Sequence, residues 1–345
     1  MSRIIECIPN FSEGRDSKTI ESIVDAINAA GDVKVLGCET GEAAGRTVVT
    51  FAGEAEAVCE AAFRAVKTAG ELIDMRVQHG THPRTGATDV LPLVPVSGIS
   101  MEECATLARK LAERIYTELG IPCNLYGKAA LRAERSKLEV CRKGQYEALA
   151  QRIADPYTRP DFSPESFNDT TARSGVCNVG ARDFLIAVNF NLDTDSASVA
   201  NEIACEVRGR GRKAYAQDGN PLKDASGRQI WIPGPLKGCK AIGWYIDEYG
   251  IAQVSMNITD ISATPLHIAY EQVCRTASRH GVRVSGTEII GLVPKKSLTD
   301  AGKHFLGAEA DDETLIQAAI KAMNLNELAP FKPSSKILEY ALDTA

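Results

Sequence analysis

The chain has 345 residues, 44% of them hydrophobic, and a formal net charge of -6 at pH 7. That length suffices for a substantial core and about two domains, and the acidic balance argues against general affinity for nucleic acid or an anionic membrane surface. No apolar run approaches the roughly 20 residues needed to cross a bilayer, and Glu6 breaks the first apolar stretch too early for a signal peptide.

In chain order, residues 3–9 read as a strand and 17–30 as an amphipathic helix with Ile20, Ile23, Val24 and Ile27 at helical spacing. Two strands follow, 33–38 and 46–51, joined by a glycine-containing loop over 40–45. A helix over 54–73 and a strand over 89–96 complete the order β-α-β-β-α-β. A helix over 101–119, a strand over 123–126 and a helix over 132–153 are appended. Residues 155–179, rich in Pro, Ser, Thr, Asp and Asn, read as a long linker.

The second half repeats the order, with a strand at 184–191, a helix at 196–207 and a hairpin of 239–246 with 251–258 around Asp247-Glu248-Tyr249-Gly250. A helix over 265–280, with proline in its first turn, and a strand over 288–293 close it. Between the 196–207 helix and the hairpin, residues 208–240 read as an irregular stretch with a local excess of Arg and Lys. Both halves place Leu-Val-Pro in their last strand, at Leu93-Val94-Pro95 and Leu292-Val293-Pro294. Proline lacks a ladder donor and belongs on an edge, which is where a ferredoxin-like sheet puts its fourth strand. The expected fold class is therefore α+β, with two similar ferredoxin-like β-α-β-β-α-β subdomains. The expected domains are 1–179 including the linker, 180–327, and a C-terminal tail over 328–345.

The ten cysteines are dispersed without a Cys-x-x-Cys pair, and most lie in apolar patterns where a thiol acts as a small hydrophobe. A reduced, cytoplasmic enzyme is the economical expectation. The stretch His79-Gly80-Thr81-His82-Pro83-Arg84-Thr85-Gly86 carries the most chemical information. It falls between a helix and a strand, where connections present functional groups. Histidine exchanges protons near neutrality, Pro83 restrains the backbone of His82, and Gly80 and Gly86 are expected to supply turn conformations. His79-x-x-His82 with Asp89 could be drawn as three metal ligands, but the spacing is not His-Glu-x-x-His and the segment is no helix; no metal is expected.

Several segments together resemble the formiminotransferase family: Cys7-Ile8-Pro9-Asn10-Phe11-Ser12-Glu13-Gly14-Arg15, Gly45-Arg46-Thr47-Val48, Leu72-Ile73-Asp74-Met75, His82-Pro83-Arg84 with Gly86-Ala87-Thr88-Asp89-Val90, Gly180-Ala181-Arg182-Asp183-Phe184-Leu185-Ile186-Ala187, and Ile242-Gly243-Trp244-Tyr245. The similarity runs in order from about residue 3 to about 305. It implies transfer of a formimino group from N-formimino-L-glutamate to tetrahydrofolate, giving 5-formiminotetrahydrofolate and L-glutamate, a step of histidine degradation. It also implies a folate cleft between two subdomains, a homodimer, and a chain ending about where a fused cyclodeaminase would begin. A separate cyclodeaminase is then a partner for the product.

In that family the histidine matching His82 is the catalytic acid/base. Attack of folate nitrogen N5 on the amidine carbon requires one proton to leave N5 and one to reach the departing glutamate nitrogen. One imidazole can serve both needs, a contribution typically worth about 100- to 10,000-fold. Glu39 is the second catalytic candidate. It stands where the family usually has aspartate, and its carboxylate would stabilise the cationic amidine and His82. Arg46 and Arg84 are candidates for the two donor carboxylates, and Asn10, at a strand end with Ser12 in its loop, for hydrogen bonding to the donor. The folate contacts implied by the resemblance are Gly180, Ala181, Arg182, Asp183, Phe184, Leu185, Ile186, Ala187, Val188 and Asn189, with Arg182 facing a folate carboxylate. By strand alternation Phe184, Ile186 and Val188 read equally well as core. Lys237 and the basic stretch would attract a polyglutamate tail on the folate. The alternatives are formyl transfer between 5-formyltetrahydrofolate and glutamate, and a folate-binding protein without turnover.

Overall fold

The computed structural model describes residues 2–343 apart from 43, 81 and 217. Ala43, Thr81 and Gln217, which fall in the 40–45 loop, the histidine stretch and the basic stretch, therefore lie outside the described residues. The chain forms two compact units, Met1–Asp183 and Phe184–Ala345.

In unit 1 the order is β1 (Ile4–Cys7), β2 (Asn10–Phe11), α1 (Ser17–Asn28), β3 (Val33–Gly41), β4 (Arg46–Glu54), α2 (Ala55–Leu72), β5 (Thr88–Ser97), α3 (Met101–Leu119) and β6 (Cys123–Gly127). Short helices α4 (Leu138–Cys141), α5 (Leu149–Ala154) and α6 (Asp169–Ser174) precede β7 (Cys177–Ala181). The sheet runs β1-β4-β2-β5-β7-β6, with β3 on β4 and a further β1–β5 pairing. The helix-covered face buries Phe51, Leu91, Leu93, Leu125 and Val179 against α1, α2 and α3. Local signals set α3: a Ser100–Glu103 capping box starts it and left-handed Gly120 ends it. Helix α2 has no side-chain cap, so its eight buried residues hold it through packing.

Three expectations change here. The 155–179 stretch is not a free linker, because it holds α6 and the start of β7, a strand paired in parallel with both β5 and β6. Strand β5 is consequently interior, and its prolines are not on an edge. Ile8 N–H donates to the Pro92 carbonyl at 3.3 Å. The return bond would need an N–H that Pro92 lacks, and the Ile8 carbonyl instead accepts from Asn10 Nδ2 at 2.8 Å. Pro95 sits beside the register shift between Ile4 and Ile5. The expected helix over 132–153 breaks into short turns at Gly144 and Gln145, both with positive φ.

Unit 2 contains β8 (Ile186–Leu192), α7 (Ala197–Val207), the two-residue strands β9 (Arg212–Lys213) and β10 (Trp231–Ile232), β11 (Cys239–Ile246), β12 (Ile251–Ile258), α8 (Leu266–Arg279), β13 (Val284–Ile290), and helices α9 (Lys295–Leu306), α10 (Asp312–Ala322), α11 (Pro333–Lys336) and α12 (Leu338–Asp343). Its sheet runs β11-β12-β8-β13, antiparallel throughout. Here the last strand is an edge, yet it ends at Ile290. Val293 lies beyond it, bridged to Ile337, and Pro294 caps α9. The two Leu-Val-Pro segments are thus not structural equivalents. Within the C-terminal stretch, over residues 328–343, Ile337 and Leu338 are buried and Ile337 joins the core. The 208–240 stretch carries the β9–β10 ladder and bridges Tyr215 to Pro221 and Lys223 to Gln229.

Candidate active site

Register across the unit 1 sheet aligns Glu39, Val48, Asn10, Val90, Asn178 and Asn124 over β3, β4, β2, β5, β7 and β6. Aligned residues share a face, and this one is opposite the helix-covered core. It is polar. Asn124 Nδ2 donates to Asn178 Oδ1 at 2.9 Å, and Asn178 Nδ2 donates to Thr85 Oγ1 at 2.7 Å and to the Asp89 carbonyl at 2.6 Å.

The loop carrying His82 is pinned from several sides. His82 N–H donates to the Ala44 carbonyl at 3.4 Å. Ser12 Oγ holds the Gly86 carbonyl at 2.7 Å. Gly80 and Gly86 are not at positive φ. They are needed because a Cβ would run into the carbonyls of Ala44 and Val176 respectively, which corrects the expected turn role. Arg84, nearly buried, donates from Nε to Gln78 Oε1 (3.1 Å), from Nη1 to Glu147 Oε1 (2.9 Å) and from Nη2 to the Gln78 carbonyl (3.1 Å). It ties the loop down. His79 is exposed and its carbonyl accepts from Arg15 Nη1 at 2.9 Å.

Asp89 organises the centre. Fully buried, it accepts at Oδ1 from Thr85 N and Oγ1, both at 2.9 Å. At Oδ2 it accepts from Arg46 Nη1 at 2.9 Å and from Arg142 Nη2. Arg46 also donates from Nε to Asn10 Oδ1 at 2.9 Å, and from Nη2 to the same oxygen. Its Nη1 stands 2.9 Å from His82 Nδ1, which is 2.7 Å from the Pro83 carbonyl. A carbonyl can only accept, so the shorter contact fits a proton on Nδ1, with Arg46 acting on the ring through its charge. Among the described residues, the ring's polar contacts fall at Nδ1 and none at Nε2. Burial first, then the Arg46 cation, holds the His82 pKa below the ordinary histidine value. A neutral ring with its lone pair at Nε2 can accept a proton near neutral pH.

The structure thus brings together His82, Arg46 and Asn10. Glu39 lies on their face but is exposed, and no hydrogen bond or ion pair joins it to them among the described residues. Arg142, Asp89, Thr85 and Asn178 were missed as a set, although Asp89 stood in the quoted motif. Gly180 lies under the ring of Tyr126, which a Cβ would strike, so that glycine serves packing. The Tyr126 hydroxyl is pushed up to about 12 by burial, with Arg182 and Arg142 opposing. Ala181 is core of unit 1, and Arg182 Nη1 bonds the Asp183 carbonyl at 3.0 Å.

Of the remaining expected folate contacts, Ile186 and Val188 are buried core of unit 2. Phe184 lines a cavity of about 510 Å³ with Pro265, Leu266 and Pro294. Leu185 is half-buried and Lys237 exposed. Ala187 and Asn189 share the sheet face opposite the core. There Asn189 Nδ2 donates to Glu288 Oε2 at 3.0 Å, Asn191 Nδ2 to Glu327 Oε2 at 2.6 Å, Gln253 Nε2 to Asn191 Oδ1 at 2.8 Å and Trp244 Nε1 to Gln253 Oε1 at 3.0 Å. Among the described residues, no group of three or more His, Cys, Asp and Glu side chains is arranged to hold a metal, and no helix is long and apolar enough to cross a membrane.

Residues 4–182 match the family model described as the formiminotransferase domain, N-terminal subdomain, and residues 187–343 the one described as the formiminotransferase domain. The chain is 41% identical over 344 residues to the formimidoyltransferase-cyclodeaminase of Gallus gallus, covering 99% of this chain and 60% of that protein. It is 40% identical over 349 residues to the protein of the same name from Sus scrofa, covering 100% of this chain and 61% of that one. It therefore spans about three-fifths of the length of these relatives. It is also 39% identical over 312 residues to the glutamate formimidoyltransferase of Streptococcus pyogenes serotype M1, covering 90% of this chain and 96% of that protein.

Proposed function

The chain belongs to the formiminotransferase family, and from that premise we propose that it transfers the formimino group of N-formimino-L-glutamate to tetrahydrofolate. The observation that carries the proposal is the His82 imidazole, neutral at physiological pH beside Arg46 on the polar face of unit 1. His82 Nε2 takes the proton that the attacking folate nitrogen loses, and returns it to the departing glutamate nitrogen. Arg46 keeps the ring neutral before the first transfer. Asp89, which offsets the Arg46 charge, limits the cost of the imidazolium between the two.

Glu39 belongs to this proposal as a carboxylate on the same sheet face, in reach of solvent. Asn10 acts by fixing Arg46. Tetrahydrofolate is the co-substrate, and the proposed contacts with the best support are Asn189 and Ala187, which face away from the unit 2 core, and Arg182, which lies outside the core of unit 1. The two sheet orders support a ferredoxin-like reading of each unit, with β7 and β6 added in unit 1. A homodimer in the cytoplasm, with a separate cyclodeaminase consuming the product, completes the proposal.

The deciding assay compares N-formimino-L-glutamate, N-formyl-L-glutamate and unrelated amidines as donors to tetrahydrofolate, with formation of 5-formiminotetrahydrofolate as the readout. Turnover with the formimino donor alone is expected. Turnover only with the formyl donor, or folate binding without turnover, would replace the proposal by one of the two alternatives.

A further inference from the structure

A guanidinium carries five N–H donors and no acceptor, so counting its bonds shows what remains for a ligand. Arg46 commits Nε and Nη2 to Asn10 and Nη1 to Asp89 at the edge of His82. Arg84 commits all three nitrogens to Gln78 and Glu147. Arg142 commits only Nη2, to Asp89. Its Nε is buried without a partner, and among the described residues Nη1 makes no bond.

The Arg142 side chain is 16% exposed, so part of its fork reaches solvent. Its charge is not cancelled either, because the one Asp89 carboxylate serves two arginines. The position is fixed by packing. Arg142 caps α4, whose Cys141, with Leu138, packs on Val90 and Tyr126 of the same sheet face. The donor left for a ligand is therefore Nη1, whose two N–H groups are uncommitted, and the acceptor that matches a cationic guanidinium nitrogen is a carboxylate oxygen.

We propose that Arg142 binds the α-carboxylate of the formimino donor, leaving Arg46 as a positioning residue for His82; this rests on the formimino-transfer reading above. His82 Nδ1, Arg46 Nη1, Asp89 Oδ2 and Arg142 Nη2 form one succession of contacts. The departing nitrogen of the donor is bonded to the carbon that bears the α-carboxylate. Anchoring that carboxylate on Arg142 therefore holds the nitrogen beside the imidazole. Lysine would keep the charge but lose the planar guanidinium that bonds Asp89 and the ligand together.

The test crosses a substitution with a change in the donor. Wild type, R142Q and R142K are assayed with N-formimino-L-glutamate and with its α-carboxamide. In the wild type the carboxamide raises KM by roughly 10- to 100-fold. In R142Q the two donors become equal within about twofold, with the KM for tetrahydrofolate little changed. R142K recovers part of the preference, which a merely structural arginine would not produce. A wild-type preference for the carboxylate donor retained in R142Q overturns the assignment. Calorimetric titration with L-glutamate gives a second readout that does not depend on turnover. Affinity in R142Q and R142K equal to wild type also overturns it, and a loss of about tenfold or more in R142Q supports it. Absence of formimino transfer by the wild type refutes the functional reading alone, and the glutamate titration then still decides Arg142.

Discussion

The two units present sheet faces of opposite chemistry. In unit 1 the face opposite the core holds His82, Arg46 and Arg142 around one buried carboxylate, Asp89. In unit 2 the corresponding face holds amides, with Asn189, Asn191 and Gln253 tied to Glu288, Glu327 and Trp244. The first set can shift a proton and bind an anion. The second offers fixed hydrogen-bonding edges with no imidazole among them. The difference lies in which side chains occupy the rows facing away from the helices.

The sharpest way to break this division is H82A, expected to lower kcat by about 100- to 10,000-fold while tetrahydrofolate binding by calorimetry stays near wild type. Near-normal turnover would move the proton chemistry elsewhere. Next comes D89N, which leaves two guanidinium groups against a neutral amide. A loss of about 3–5 kcal/mol from unit 1 is expected. Both tryptophans, Trp231 and Trp244, lie in unit 2, so the urea midpoint should fall by circular dichroism more than by tryptophan fluorescence. Equal shifts by both probes would contradict it.

A smaller effect should come from the unit 2 face. N189A is expected to raise the KM for tetrahydrofolate about 3- to 10-fold with kcat unchanged. A fall in kcat alone would mean that the second face also serves the chemistry. The smallest effect belongs to K237A. Lys237 is exposed, and its contribution should be at most about 1 kcal/mol, seen only with polyglutamylated folate and vanishing at high salt.

What the sequence disclosed follows the reach of each signal. Helix α3 and strands β11 and β12 were legible because capping residues and alternation act locally. Strand β7 was not, because its five residues directly follow a polar run and its parallel partners β5 and β6 lie far off in sequence. Missing β7 also put β5 on an edge. His82 stood out through its motif, whereas Arg142 reaches Asp89 from 53 residues away. That pairing depends on a four-residue helix docking on the sheet, and nothing within one turn of sequence encodes it. Arg84 looked like a ligand arginine for the converse reason, as its partner Glu147 lies 63 residues on.

The most direct measurement is a ring-nitrogen NMR titration of His82, read beside the acid limb of kcat/KM in wild type and R46Q. Folded-state protonation here is suppressed by burial and by Arg46, so the base form, and with it activity, persists as pH falls until a midpoint below the ordinary histidine value. The expected result is a neutral ring protonated at Nδ1, a midpoint below that value coinciding with the kinetic limb, and an upward shift of both in R46Q. A ring protonated at Nε2 in the neutral form, or an acid limb that ignores both His82 and Arg46, would contradict it.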